Sequence, residues 1–293
     1  MKENPDISIV VLNYNTSDLL NGALQSIVET VGDLHVDVAV IDNASTDGGF
    51  AQVSAEIKTN PLFTFIQRDK NVGWAAINSM LAKKGRYILT LDPDAVLHPG
   101  ALQTLLAFMD RTPKAGAATA KLLNSDGTPQ LYYRRIMTPK SAFFMTVFGR
   151  IIDKYFFGLR QFKRNRYDDL NLDVVSEVEQ PAWPCLIWRR EALGPYVVDE
   201  RIPFYFVDVD MSKRVYDNGY KIYLVPQATI THLKSASFGR TNDTWRRNEY
   251  NRSIRVYMRQ HYPRSYLALA PVLAIDRMLR AAIRMLTGKE PLR

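Results

Sequence analysis

The chain has 293 residues, of which 46% are hydrophobic, so it can bury the core of one large domain with an appendage. Its single cysteine, Cys185, excludes an internal disulfide framework and is expected in the core, because it lies in an apolar run. The segment before the first predicted strand, residues 1–6, is short and polar, so no signal peptide is predicted. No run of about 18 uncharged apolar residues occurs, so no membrane-spanning helix is predicted.

The formal net charge of +8 is concentrated near the C-terminus. Residues 1–239 carry 26 basic and 26 acidic side chains, whereas residues 240–293 carry 12 basic and 4 acidic ones. This distribution predicts a neutral body, residues 1–239, followed by a basic tail, residues 240–293, that meets an anionic partner.

Four short apolar runs predict four buried strands, at residues 7–12, 36–41, 64–66 and 87–91. Helical patterns alternate with them: the first starts at Ser17 or Asp18, and a later one starts at Pro99. Such alternation predicts an α/β fold with a parallel, doubly wound sheet and right-handed crossovers.

Polar residues follow each predicted strand, and parallel strands bring their carboxyl ends to one edge, where open α/β sheets bind ligands. Asp42 can accept a hydrogen bond from a base or from ribose hydroxyls, and Tyr14 offers a ring face. Neither the dinucleotide fingerprint nor the phosphate-loop pattern of NTPases is present. The strand ends therefore predict a nucleotide site formed by Asn13, Tyr14, Asn15, Asp42, Asn43, Ser45, Asn71, Gly73, Trp74 and Asp92.

Two carboxylates, Asp92 and Asp94, follow the fourth strand directly. Carboxylate oxygens are the ligands that Mg²⁺ and Mn²⁺ prefer, and such a metal can hold a diphosphate. Pro93 fixes its own φ and extends Asp92, so both side chains are held stiffly. The alternative interpretation is a solvated Asp-Pro turn.

Four segments in order resemble the successive signatures of glycosyltransferase family 2, at residues 9–15, 41–48, 71–76 and 91–94. The resemblance covers roughly residues 6–235 and is greatest to the rhamnosyltransferase-like enzymes of bacterial surface-polysaccharide assembly. It implies a GT-A fold, which is a Rossmann-like, mostly parallel sheet flanked by helices, over residues 1–239. The nucleotide-binding half would be residues 1–125 and the acceptor-side half residues 126–239. It also implies a nucleotide-sugar donor, Mg²⁺ or Mn²⁺, and inversion at the anomeric carbon.

The acceptor-side half contains a segment without clean periodicity, residues 129–180, which mixes aromatic and basic residues. It is either a variable acceptor-binding segment or an ordinary helical insertion that packs its aromatic residues inward. Further on, Trp183 and Pro184 stand where the family usually carries a small Gly-Ala pair. Trp183 is therefore predicted to narrow the sugar pocket or to support a sugar face.

Asp208 is predicted at the start of a helix, where an aspartate is commonly a cap. The segment resembles the family's Glu-Asp motif, which implies that Asp208 is the general base, with Val207 in place of the glutamate. Asp210 cannot share a helix face with Asp208, so we expect a capping or structural role for it. It is grouped with Trp183 at the acceptor or sugar pocket.

His232 follows the predicted strand at residues 221–225. A lone histidine there is commonly structural, but the resemblance implies that it completes the metal site begun by Asp94. Three arginines beyond it are predicted to reach diphosphate oxygens from a flexible loop: Arg240, Arg246 and Arg247.

The tail predicts a helix from residue 266, with Val272, Ile275, Leu279, Ala282, Ile283 and Leu286 on one side and Asp276, Arg277, Arg280 and Arg284 on the other. A basic amphipathic helix can lie among anionic lipid headgroups, and the alternative is a helix docked on its own domain or on a second subunit. We expect a cytoplasmic protein, peripheral on the inner face of the cytoplasmic membrane.

The expected activity is transfer of L-rhamnose from deoxythymidine-diphosphate rhamnose to a polysaccharide or polyprenyl-diphosphate-linked saccharide. A nucleotidyltransferase would need a Gly-rich, Arg-containing loop after the first strand, and a processive synthase would need several membrane helices. A non-catalytic nucleotide-sugar- or lipid-binding partner in an assembly complex remains the alternative. Nucleic-acid binding is not expected, because the basic tail has few aromatic residues and a helical period.

Overall fold

The computed structural model describes residues 5–82, 85–167, 170–181, 183–233 and 243–287. Its strands are β1 (Ile7–Asn13), β2 (Val36–Asp42), β3 (Phe63–Gln67), β4 (Tyr87–Leu91), β5 (Ala95–Leu97), β6 (Ala115–Leu123), β7 (Ser176–Glu177), β8 (Cys185–Arg189) and β9 (Lys221–His232). Its α-helices are α1 (Ser17–Val31), α2 (Ala55–Thr59), α3 (Ala101–Arg111), α4 (Pro139–Phe144), α5 (Val147–Phe157), α6 (Arg160–Lys163), α7 (Arg190–Leu193), α8 (Val207–Asp217), α9 (Asp243–His261) and α10 (Pro263–Thr287). Two 3₁₀-helices span Gly49–Gln52 and Gly73–Ala82.

The strands form one mixed sheet of nine strands within the described residues, in the order β3-β2-β1-β4-β8-β6-β9-β5, with β7 paired to β9. The strands β1 to β4 are mutually parallel, whereas β8 runs antiparallel to both β4 and β6. The predicted α/β class, with a mostly parallel sheet and a C-terminal helical region, is confirmed.

The side chains of β1 and β2 alternate between two cores, one on each face of the sheet, as the strand period of two requires. A third core lies between α4, α8, α9 and α10 and is centred on Tyr257 and Met258, both fully buried. The C-terminal helices therefore pack on the body of the molecule.

Several elements differ from the sequence prediction. β5 separates β4 from α3, so the helix begins at Ala101, beyond Pro99, after Gly100 in the left-handed conformation. Arg246 and Arg247 lie in α9, so the predicted flexible loop is wrong for these two residues. Arg240 lies outside the described residues.

Residues 129–180 contain the helices α4, α5 and α6. The helical alternative for this segment is thus correct, but the expected inward packing is wrong for part of it: Tyr155 is 74% exposed and Phe156 is 78% exposed. Among the described helices, none combines the length and the apolar character that a membrane crossing needs.

Candidate active site at the carboxyl edge of the sheet

Parallel pairing brings the ends of the strands β1, β2 and β4 to one edge. Asn13 is paired with Asp42, and Val11 is paired with Leu91, which places Asp92 beside the end of β1. The convergence predicted from the polar strand ends therefore occurs.

Asp42 lies in a dense hydrogen-bond network and is 1% exposed. Its Oδ1 accepts from Asn13 Nδ2 at 2.7 Å and from Ser45 Oγ at 2.5 Å. Its Oδ2 accepts from Ser45 N at 3.1 Å and from Gln67 Nε2 at 2.6 Å. A carboxylate has about four lone-pair positions, and donors of the chain occupy all of them. Asp42 orders the loop in this arrangement, and a base or ribose would have to displace one of these donors to bond to it, so its contact with a nucleotide stays a prediction.

The loop after β1 is held by the same network. Asn15 adopts a left-handed conformation with φ of 56°, which asparagine tolerates, and its Oδ1 accepts from Thr46 N at 2.7 Å. Asn15 N donates to Ser45 Oγ at 3.0 Å. Tyr14 stays 36% exposed, so its ring face is available to a ligand.

Asn43 fixes the loop after β3. It is buried; its Nδ2 donates to Asn71 Oδ1 at 2.8 Å and to Gly73 O at 3.1 Å, and its Oδ1 accepts from Val72 N. Gly73 has a φ of +59°, and a Cβ there would meet the carbonyl oxygen of Pro203 at 2.3 Å. Only glycine allows this approach of the loop to the segment that precedes α8.

Trp74 and Trp183 meet edge to face, with ring centroids 4.6 Å apart. Trp183 also lies 6.2 Å from Trp188, and its buried Nε1 has no hydrogen-bond partner. Since the carbonyl of the adjacent Pro184 accepts from Asp92 N at 2.9 Å, this aromatic pair lies beside the acidic pair.

The acidic pair and His232 form a compact group. Asp92, Asp94 and His232 each direct one ligand atom into a space where these atoms lie within 4.8 Å of one another. Asp94 is 4% exposed, and its Oδ1 lies 3.6 Å from His232 Nε2. β5 pairs antiparallel with β9, which sets Ala95 opposite His232 and so fixes this spacing.

Two ionised carboxylates without a neutralising charge are disfavoured at Asp92 and Asp94. Burial raises the pKa of Asp92 well above its usual range, and the negative charge of Asp94 raises it further. Burial also raises the pKa of Asp94, an effect that positive charge on His232 opposes. Oδ1 of Asp92 is buried and has no hydrogen-bond partner among the described residues. An unsatisfied acceptor next to a second carboxylate and an imidazole fits a divalent cation, which would supply the missing positive charge.

Gln130 orients His232 from behind. Its Oε1 lies 2.9 Å from His232 Nδ1, while its Nε2 donates to His232 O at 2.8 Å and to Asn124 Oδ1 at 2.9 Å. Because Nε2 of the amide is the donor, Oε1 accepts, and Nδ1 carries the hydrogen. In the neutral imidazole the lone pair is then on Nε2, the atom that faces Asp94.

Asp208 lies in the first turn of α8 and is partly buried. Phe206, the residue before the helix, has a φ of +66°, a strained conformation for a bulky residue that sets how Asp208 is presented. Gln180 Nε2 donates to Asp208 Oδ2 at 2.8 Å. Burial raises the pKa of Asp208 despite this hydrogen bond, which acts in the opposite direction. A carboxylate with a raised pKa suits proton abstraction near neutral pH.

One short segment joins the two parts of the site. Gln180 contacts Asp208, and Pro184 contacts Asp92, within residues 180–181 and 183–184. Gln180 is itself held by two backbone hydrogen bonds with Arg134, each of 2.9 Å. The carboxylate on α8 and the acidic pair therefore border the same region.

Asp210 has a different environment from Asp208. It is 1% exposed and accepts from Arg214 Nε at 2.8 Å, and it lies 2.7 Å from His261 Nε2. These contacts join α8 to the end of α9. They agree with the structural role expected for Asp210, and its place at a sugar or acceptor pocket stays a prediction.

The two arginines expected to bind diphosphate lie in the first turns of α9. Arg246 pairs with Asp243, and Arg247 donates to Thr244 Oγ1 at 2.9 Å.

Three glutamines at the site were missed by sequence reasoning: Gln67, Gln130 and Gln180. A neutral amide has no charge pattern or spacing that marks it, and each acts on a residue distant in sequence. Gln180 donates a hydrogen bond to Asp208, which the side chain of Val207 cannot do, so the lack of a glutamate before Asp208 was a signal to look for another hydrogen-bond partner.

Comparison with known proteins gives a consistent result. The sequence profile described as Glycosyl transferase family 2 matches residues 8–177. The chain is 27% identical over 253 residues to an N-acetylglucosaminyl-diphospho-decaprenol L-rhamnosyltransferase of Mycobacterium tuberculosis, which covers 80% of this chain and 78% of that protein. It is 28% identical over 247 residues to the O-antigen biosynthesis protein RfbC of Myxococcus xanthus, covering 81% of this chain but 18% of that protein.

Solved structures show the same GT-A architecture. The mannosyltransferase PcManGT of Pyrobaculum calidifontis, in complex with GDP-Man and Mn²⁺, superposes with a TM-score of 0.56 at 15% identity, covering 96% of this chain and 76% of that one. GalNAc-T7, solved with UDP, GalNAc and Mn²⁺, gives a TM-score of 0.59 at 16% identity, covering 87% of this chain and 48% of that one.

The family profile covers more than half of the chain, and it contains the strand ends that converge on the acidic pair. The chain therefore belongs to glycosyl transferase family 2 and is a glycosyltransferase.

Proposed function

We propose that this chain is a metal-dependent, inverting transferase that moves L-rhamnose from deoxythymidine-diphosphate rhamnose to a hydroxyl of a lipid-linked saccharide. The observation that carries the proposal is the grouping of Asp92, Asp94 and His232, together with the contacts of Gln180 with Asp208 and of Pro184 with Asp92. The mycobacterial relative, named for L-rhamnose transfer to a decaprenol-linked substrate, supports the sugar and the acceptor class.

Asp94 and His232 would hold Mg²⁺ or Mn²⁺, with Asp92 as a further ligand or as the acceptor of a ribose or water hydrogen bond. When bound, the metal stabilises the charge that builds up on the departing diphosphate. His232 is oriented for this role by Gln130. Arg246 and Arg247 are proposed to add positive charge near the diphosphate.

Asp208 is the proposed general base. Its carboxylate takes the proton of the acceptor hydroxyl as that oxygen forms a bond to the anomeric carbon of the sugar. The bond between this carbon and the diphosphate oxygen breaks, and the nucleoside diphosphate leaves with the bonding pair. Because attack and departure occur on opposite faces of the carbon, the configuration inverts. A positioned base of this kind contributes about 10²–10⁴-fold to the rate.

The donor is proposed to lie along the edge from Tyr14 to the acidic pair. Tyr14 would stack on the base, and the loops ordered by Asp42 and Asn43 would shape the nucleoside pocket. Trp74 and Trp183 would contact the sugar. Their apolar surface suits a deoxy sugar, whose methyl group needs no hydrogen-bond partner.

A lipid-linked acceptor would be reached at a membrane surface. The basic tail is proposed to hold the enzyme on the anionic inner face of the cytoplasmic membrane through α10.

The test is hydrolysis of a panel of nucleotide sugars with Mg²⁺, Mn²⁺ or chelator, comparing wild type with Asp94→Ala and Asp208→Asn. We expect slow, metal-dependent hydrolysis of deoxythymidine-diphosphate rhamnose, lost in Asp94→Ala. With a saccharide acceptor present, transfer should be lost in Asp208→Asn as well.

Two results would contradict the proposal. Hydrolysis that continues in the presence of chelator would show that the reaction does not depend on a metal. Binding of nucleotide sugars by calorimetry without turnover under any acceptor condition would favour the non-catalytic binding partner.

A further inference from the structure

Helix α5 buries a charged side chain and exposes its large apolar ones. Asp153 is fully buried and caps α6, accepting from Gln161 N at 3.1 Å and Phe162 N at 2.7 Å. The large apolar residues of the same helix point outward: Phe148 is 57% exposed, Ile151 50%, and Phe156 78%. A helix at a water-exposed surface normally has the opposite arrangement, with its apolar stripe on the core.

The first half of α10 packs Leu269 and Leu273 into the third core, whereas its C-terminal half has the same inversion as α5. Asp276 and Arg280 face the body of the molecule, with side chains 15% and 20% exposed. Met278 is 69% exposed, Met285 81% and Leu286 85%. The charged face predicted to meet lipid thus contributes two residues to an internal contact, whereas Ile275, Leu279 and Leu286 of the predicted apolar side are exposed.

The two helices are joined by direct contacts. Val147 N donates to Asp276 Oδ1 at 2.6 Å, and Arg280 Nη2 donates to Met145 O at 2.9 Å. A Cβ on Gly149 would lie 2.0 Å from Phe143 O, so α5 also packs tightly against α4. The outward apolar residues of α5 and α10 therefore belong to one rigid assembly.

The charge around this assembly is strongly positive. Residues 139–163 carry five basic side chains and one acidic, and residues 263–287 carry four basic and one acidic. The two acidic residues, Asp153 and Asp276, are those turned inward by the contacts above.

We propose that the outer faces of α5 and α10 form one docking surface for an anionic phospholipid bilayer. The inference rests on the proposed membrane placement and extends it from the tail to the segment at residues 139–163. Aromatic and aliphatic side chains rimmed by cations match the acyl boundary and the anionic headgroups. A second copy of the chain would bring the same excess of positive charge against itself, which disfavours self-association.

The surface is connected to the helix that carries Asp208. Ala142 of α4 and Leu269 of α10 share the third core with Phe206 and Val209, the residues on either side of Val207 and Asp208. Docking through α5 and α10 would therefore hold this helix on the same assembly that meets the bilayer, where a lipid-diphosphate acceptor is presented.

The test is sedimentation of the full chain with vesicles of equimolar phosphatidylglycerol and phosphatidylcholine, and with pure phosphatidylcholine. The variants are Phe156→Glu on α5 and Met278→Glu on α10. The matched control is Val174→Glu, which changes a side chain of similar character, 49% exposed, outside these helices. Donor hydrolysis without vesicles is measured on every preparation.

We expect wild type to bind the anionic vesicles in preference to the neutral ones, with weaker binding at high salt. Phe156→Glu and Met278→Glu should each lower the partition coefficient by about tenfold or more, and Val174→Glu by less than about twofold. Hydrolysis should be equal in all four proteins.

Wild type that fails to bind anionic vesicles would overturn the inference, as would normal binding by Phe156→Glu. Dimers in light scattering that both variants dissociate, without vesicle binding, would instead assign this face to a second copy. If vesicle binding follows the expected pattern while no donor is hydrolysed, the docking surface stands and the catalytic proposal fails.

Discussion

Asp42 and Asp94 occupy comparable places in the sequence but different environments. Asp42 ends β2 and Asp94 follows β4, both of which pair with β1, and each is almost fully buried. Asp42 accepts hydrogen bonds from Asn13, Ser45 and Gln67, which leave no lone pair for a ligand. Asp94 lies beside Asp92 with a raised pKa and faces the imidazole of His232. The satisfied carboxylate of Asp42 orders a loop, whereas the pair formed by Asp92 and Asp94 includes an unsatisfied oxygen, Oδ1 of Asp92, that can bind a cation.

The largest effect is expected at the base. Asp208→Asn keeps the shape of the side chain but removes the proton acceptor, so kcat for transfer to a saccharide should fall about 10²–10⁴-fold. Steady-state kinetics with a synthetic acceptor measure this effect. Asp217→Asn, on the exposed side of the same helix, is the control and should stay within about twofold of wild type. Near-native turnover in Asp208→Asn would refute the assignment.

The same substitution, aspartate to asparagine, is expected to have opposite effects on stability at Asp42 and at Asp94. Asp42→Asn puts an amide group against donors of the chain and leaves buried hydrogen bonds unmade, so the free energy of unfolding should fall by about 2–3 kcal/mol. Urea unfolding at neutral pH without metal measures it.

Asp94→Asn is the matched variant. The pKa values of Asp92 and Asp94 are raised in the folded protein, so their ionisation costs stability as the pH rises above the values of the unfolded chain. Removing one charge should therefore leave stability unchanged or raise it by about 1 kcal/mol. Equal destabilisation by Asp42→Asn and Asp94→Asn would mean that the two carboxylates contribute equally to the stability of the fold.

Much of this site could be predicted from sequence, since the apolar runs of β1, β2 and β4 end in polar residues that parallel pairing must bring together. The identity of Asp94 and His232 as a pair came from the family resemblance. Which aspartate is satisfied could not be predicted, because Gln67 and Ser45 reach Asp42 only through the folded loops. β6 and α9 were missed for another reason: alanine-rich and highly polar segments give weak periodicity.

A smaller effect is expected from the residue that orients His232. Gln130→Leu removes the acceptor from Nδ1, so the affinity for Mn²⁺ should fall about 10–100-fold with the fold intact. Calorimetry measures the affinity, and circular dichroism checks the fold. Gln130→Glu keeps an acceptor toward Nδ1 and should retain most of the affinity. If Gln130→Leu binds Mn²⁺ as wild type does, His232 is not a ligand.

The smallest effect is expected at Gln180. Its hydrogen bond favours the carboxylate form of Asp208, so Gln180→Leu should raise the pKa of Asp208 further. Because the base acts as the carboxylate, the acidic limb of the kcat/KM profile should move to higher pH, and the plateau should fall by less than about tenfold. Gln25→Leu, at an exposed amide, is the control. If the pH profile of kcat/KM is the same in Gln180→Leu as in wild type, Gln180 does not position Asp208.

The most direct measurement is a calorimetric titration of Mn²⁺, with and without thymidine diphosphate, into wild type, Asp94→Asn and Asp42→Asn. The geometry at the sheet edge predicts that wild type binds, that Asp94→Asn loses binding, and that folded Asp42→Asn retains it. Retention by Asp94→Asn together with loss by folded Asp42→Asn would exchange the roles of the two carboxylates and contradict the account.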